Sequence, residues 1–114
     1  MAKLEKILNG NFEEILGKIE NGILKGSISA TLEGASDFVD GKVKCSVRVF
    51  ERYSAIGSNR VSLNVTLLQN DDSKIHLSAI TSGGSQAILF KINTLGEKAF
   101  LDKLKEILWY NQDR

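Results

Sequence analysis

Between Val43 and Leu67 apolar and polar residues alternate almost without interruption. Val43, Cys45, Val47 and Val49 point one way, with Lys44, Ser46, Arg48, Phe50 and Arg52 between them. Val61, Leu63, Val65 and Leu67 repeat the pattern against Ser62, Asn64 and Thr66. A period of two predicts strands with one buried face. On this reading Cys45 lies in the core, and Arg48, Phe50 and Arg52 stand on a polar face. Strands are expected at 43–53, 60–69, 74–81 and 86–92. The turn-rich links between them, such as Gly57-Ser58-Asn59 and Ser82-Gly83-Gly84-Ser85, favour antiparallel hairpins. Alternation over 27–33, with Ile28, Ala30 and Leu32 on one side, gives an earlier strand, whereas 34–42 is rich in turn formers and reads as a loop.

In two places the period lengthens to that of a helix. Phe12, Ile15, Leu16, Ile19 and Ile23 form one apolar stripe over 12–24. Asn11 is the expected cap, with Glu14 three residues on, and Glu13 and Glu14 fill the first turn, where the helix dipole favours negative charge. Thr94-Leu95-Gly96-Glu97 reads as a capping box opening a second helix, whose apolar face is Phe100, Leu101, Leu104, Ile107 and Leu108. Trp109 and Tyr110 are expected to lock the end of that helix onto the sheet. Residues 3–8 fit a strand or a helical turn, the strand being the better reading.

Each helix and the sheet thus show one apolar side. The economical arrangement is a single two-layer α+β domain over 1–114: an antiparallel meander of about five to six strands with both helices on one face. The element order is that of helix-grip folds, which often hold apolar ligands between sheet and helix; this is likeness of architecture alone.

Composition narrows the function only by exclusion. The 114 residues carry 15 basic and 14 acidic side chains, a formal charge of +1, which argues against nucleic acid or an anionic membrane as the main partner. No run approaches the roughly 20 apolar residues of a membrane span. The single cysteine can form no internal disulfide, and the N-terminal residues lack the apolar core of a secretory signal, so the expected location is the reducing cytoplasm.

Candidate chemistry is sparse. His76, the only histidine, points away from the core beside Ser78 and has the look of a general base, but nothing in the sequence places a nucleophile or an orienting acid next to it. One cysteine and one histidine do not make a zinc site, and no metal or cofactor is implied. Ser82, Gly83, Gly84 and Ser85 resemble an anion-holding loop, though a plain hairpin turn explains them as well. Arg48 and Arg52, about 13 Å apart on one strand face, flank Phe50; with Arg60 they suit a carboxylate, a phosphate or a planar ring. Ahead of that grip stand two readings of equal weight: a solvated face whose arginines pair with acids on neighbouring strands, and a self-association patch of Phe50, Leu68 and Ile80, all off the core pattern.

Several blocks are familiar: Gly10-Asn11-Phe12-Glu13-Glu14, residues 45–54 (CSVRVFERYS), 59–64 (NRVSLN), 78–87 (SAITSGGSQA) and 90–104 (FKINTLGEKAFLDKL). Together they resemble a family of small bacterial proteins classed as a domain of unknown function. The resemblance covers nearly the whole chain, implies a bacterial cytoplasmic protein, and supplies no activity or site residue. The leading expectation is therefore a non-enzymatic binding or assembly module using the polar sheet face, met by a second subunit or a small polar ligand. One alternative is a carrier of an apolar ligand in a cavity lined by Val47, Val65, Phe100 and Leu104; another is an enzyme using His76.

Overall fold

The computed structural model describes residues 2–54, 59–71, 73–83 and 90–112. In chain order the elements are β1 (Ala2–Asn9), α1 (Phe12–Gly26), β2 (Thr31–Asp40), β3 (Val43–Ser54), β4 (Asn59–Gln69), β5 (Lys74–Gly83) and α2 (Phe90–Gln112). The five strands form one sheet in the order β1-β5-β4-β3-β2, every neighbouring pair antiparallel. It is an α+β fold in which a β2–β5 meander is extended by β1, which pairs with the last strand.

Local sequence explains most of these elements. Asn11 caps α1, its side-chain oxygen accepting from the Glu14 N–H at 2.9 Å. Gly41, with φ of 61°, makes the two-residue turn from β2 to β3. The α1 stripe of Phe12, Ile15, Ile19 and Ile23 is buried with Leu8, Phe50, Val61, Leu63, Val65, Leu67, Ile75, Leu77 and Ala79, and with Phe100, Leu101, Leu104 and Leu108 of α2. Both helices therefore lie on one side of the sheet. They also touch each other closely: a Cβ on Gly22 of α1 would meet Ile107 of α2 at 2.5 Å. Among the described residues no helix is long and apolar enough to cross a membrane.

Three expectations are corrected. The first concerns β3. Cross-strand partners share a face, and the register pairs Phe50 with Leu63, Arg48 with Val65 and Ser46 with Leu67. The helix side of β3 is thus Ser46, Arg48 and Phe50, all buried, while Val43, Cys45, Val47 and Val49 lie on the opposite, uncovered side, each half-buried. Cys45 is not a core residue.

Residues 31–40 form a strand rather than lying largely in a loop, and only 27–30 remain as the connection from α1. The pairing skips a position between Leu32 and Gly34, a β-bulge that absorbs Glu33. At the other end of the chain, α2 begins at Phe90, so Thr94 lies inside the helix and 90–92 are not strand; residues 84–89 lie outside the described ones.

Candidate functional site

The uncovered face of the sheet is ordered in transverse rows. One row crosses all five strands: Phe38 on β2, Cys45 on β3, Leu68 on β4, His76 on β5 and Ile7 on β1, each directly opposite the next. Four of the five are apolar or weakly polar, and His76 stands between Leu68 and Ile7. The adjacent row, Ser36, Val47, Thr66, Ser78 and Glu5, is mixed; the one beyond it, Gly34, Val49, Asn64, Ile80 and Lys3, carries Ile80 as its large exposed apolar residue. Phe38 is 63% exposed and Leu68 37%. The β1-β5-β4 half holds a shallow hollow of about 560 Å³ whose lining includes Glu5, Ile7, Thr66, Leu68, His76 and Ser78.

On the helix side a different cluster forms. Arg48, only 7% exposed, donates from Nε to Glu20 of α1 at 2.5 Å, and its Nη1 lies 2.9 Å from Asp37 of β2. It also donates to the Val47 carbonyl at 3.0 Å, and Ser46 Oγ donates to Asp37 at 2.6 Å. Burial by itself works against the Arg48 charge, but the hydrogen bonds to Glu20 and Asp37 outweigh it and hold the guanidinium firmly protonated. Hydrogen bonds from Ser46 and then Arg48 hold the Asp37 carboxyl below its ordinary value. The cluster ties α1 to β3 and the edge strand β2. Arg52 on the same side lies 4.5 Å from the Phe100 ring centroid, and burial lowers its pKa.

The residues proposed from sequence therefore separate. Arg48, Phe50 and Arg52 face the helices, so the grip on an exposed ligand is corrected: Phe50 is fully buried, Arg48 is committed to two acids and Arg52 stacks on Phe100. Arg60, His76 and Ser82 are exposed on the other side. Arg60 donates to Glu51 at 2.8 Å, and the Ser62 and Ser82 hydroxyls are 2.8 Å apart. Gly83 ends β5, while Gly84 and Ser85 lie outside the described residues. Of the patch Phe50, Leu68 and Ile80, only the last two share the open face.

The chemistry around His76 is spare. Its directly opposed neighbours are Ile7 and Leu68, and Cys45 is two strands away, about 10 Å. Among the described residues no group of three His, Cys, Asp or Glu could hold a metal ion. Val47 and Val65 lie on opposite faces, so no single cavity between sheet and C-terminal helix is lined by Val47, Val65, Phe100 and Leu104 together. Trp109 does not lock its helix down: it is 64% exposed and borders a groove with Leu4, Glu5 and Lys6 of β1. Phe38, in 34–42, gave no alternating signal because its strand is exposed on both sides.

No curated protein matches the chain. Among solved structures it is similar to the crystal structure of hypothetical protein jhp0584 from Helicobacter pylori, at 10% identity and a TM-score of 0.47 over 95% of this chain and 85% of that one. A family of unknown function, DUF6054, matches residues 1–110, and the chain belongs to that family.

Proposed function

We propose that the protein is a non-enzymatic assembly module that pairs with a second copy of itself through the open face of the sheet. The row Phe38–Cys45–Leu68–His76–Ile7 carries this reading, because it is an apolar belt across a face that neither helix covers. Five strands about 4.8 Å apart and some ten residues long present roughly 800 Å² of face. A stable interface of ordinary size uses about 800 Å² per partner. The face is also self-complementary. A two-fold axis along β4 sets Leu68 against Leu68 of the second copy and brings the projecting Phe38 over Ile7, at the hollow. Thr66, Ser62 and Asn64 keep the centre partly polar, as in interfaces between subunits that also meet water. A cytoplasmic setting is consistent with this reading, since the lone Cys45 thiol on that face needs no disulfide partner.

Leu68→Asp tests it. The side chain already faces solvent, so the fold should be kept, while a carboxylate meets its own copy at the axis. Light scattering after gel filtration should give about twice the 12.5 kDa chain mass for the wild type and the chain mass for the variant, with unchanged circular dichroism. A wild-type monomer at high concentration, or a dimer that survives Leu68→Asp, would overturn the proposal.

A further inference from the structure

β2 is unlike the other strands. Among the described residues it is an outer edge that pairs only with β3, and every residue of Thr31–Asp40 is exposed except Gly34, which is half-buried. Leu32 and Val39 are exposed on the helix side, Val39 to 73%. Long edges are usually guarded by charge, lysine above all, by proline, by a bulge or by shortness. This one has ten residues and none of Lys, Arg or Pro. The bulge at Leu32/Gly34 bends its first part and leaves 35–40 regular. Its charge has one sign: Glu33, Asp37 and Asp40. Hydrogen bonds from Ser46 and Arg48 keep Asp37 ionised. Beside the edge, a cleft of about 260 Å³ opens between β2–β3 and α1, walled by Phe12, Leu16 and Val39, with Ser46 and Arg48 buried within it and the Lys44–Glu13 ion pair, at 2.8 Å, closing its border.

We infer that β2 and this cleft receive an extended segment of another protein by strand addition. Main-chain hydrogen bonds to 35–40 supply the pairing, and a pocket that takes alternate side chains supplies the choice. Side chains of an added strand alternate between the two sides of the sheet. Those on the α1 side are aliphatic and enter the Phe12–Leu16–Val39 cleft; those on the other side are basic and meet Asp40, which shares the open side with Val43. A second copy is a poorer occupant, because β2 carries no cation to answer its own Asp40 and Glu33.

An end-blocked peptide of alternating lysine and valine is the probe, titrated against the full chain and against the Leu68→Asp chain, so that assembly through the open face does not enter. Amide shifts should concentrate in 31–40 and around Phe12 and Leu16. Replacing lysine by glutamate in the peptide, N-methylating its alternate amides, or introducing Val39→Lys into the protein should each weaken binding by about tenfold or more. Val39 is so exposed that its replacement leaves the fold intact, which circular dichroism checks. The inference is overturned by no binding, by an N-methylated peptide that binds as well as its parent, by shifts confined to the open face, or by sedimentation of the Leu68→Asp chain as a dimer that Val39→Lys dissolves. That last result would assign the edge to a second copy.

Discussion

Arg48→Met removes the buried cation that ties α1, β2 and β3 together while keeping most of its apolar stem. Wild-type Arg48 makes two charge-assisted contacts, to Glu20 at 2.5 Å and Asp37 at 2.9 Å. A hydrogen bond to a charged group contributes about 1.5–3 kcal/mol net. Removing one partner of a fully buried pair costs about 3–5 kcal/mol. Neither figure applies undiminished, because the Glu20 and Asp37 side chains are 31% and 56% exposed and regain water once Arg48 is gone. Methionine also avoids the desolvation that the guanidinium suffers. The expected loss is about 1–2 kcal/mol, or roughly 5–10 °C in Tm for a domain of this size. Urea unfolding followed by circular dichroism measures it, and amide exchange locates it: α1 around Glu20 and β2 around Asp37 should lose protection before β4. A Glu20→Gln, Arg48→Met double-mutant cycle isolates the pair. A methionine variant as stable as the wild type, with α1 and β2 equally protected, would refute the clamp and show that the cluster merely tolerates a buried charge.

Other outcomes follow from the packing and the ion pairs. Gly22→Ala should lose up to about 2 kcal/mol in thermal unfolding, because its Cβ meets two Ile107 carbons at 2.5 and 2.7 Å and overpacking outweighs the gain in helix propensity of about 1 kcal/mol. Gly26→Ala meets only the flexible end of Lys103 and should stay within about 0.5 kcal/mol of wild type. Asp37 has a folded pKa below its unfolded one, so its contribution is complete above the ordinary carboxylate range and fades as pH falls through the folded value. Asp37→Asn should therefore lower stability at neutral pH and flatten its fall below about pH 4; parallel curves for the two proteins would count against the pairing.

The period of the strands was legible in the sequence, and the face was not. Placing Val43–Val49 and Val61–Leu67 on one side requires odd-numbered positions to pair with odd. The register instead joins Ser54 to Asn59, with four residues between, so even positions of β3 meet odd positions of β4. One residue more or less in that link would reverse the assignment. Phe50 was the available signal, since a phenylalanine among arginines is better explained by a core than by a solvated face. β2 escaped notice for a different reason: it is held by pairing to β3, not by burial, and its Gly34, Ser36, Asp37 and Asp40 look like turn residues. The alternation alone turns His76, Leu68 and Ile80 outward, and the register agrees. The Arg48 cluster was beyond reach because Glu20 and Asp37 come to it from separate elements.

The pairing of β1 with β5 has a consequence for how the chain acquires its fold. β2–β3, β3–β4 and β4–β5 close over two to five intervening residues, whereas Ala2 meets Thr81, whose hydroxyl accepts from the Ala2 N–H at 3.1 Å across 79 positions. Closing a loop that long costs about 2.5–3 kcal/mol more entropy than closing one of four residues. The meander therefore forms first, and β1, made before the strands it joins, waits for β5 before it has a place. Until then β5 is an open edge, and a nascent or N-terminally truncated chain exposes Ile75, Leu77 and Ala79 without the Leu8 that joins them in the core.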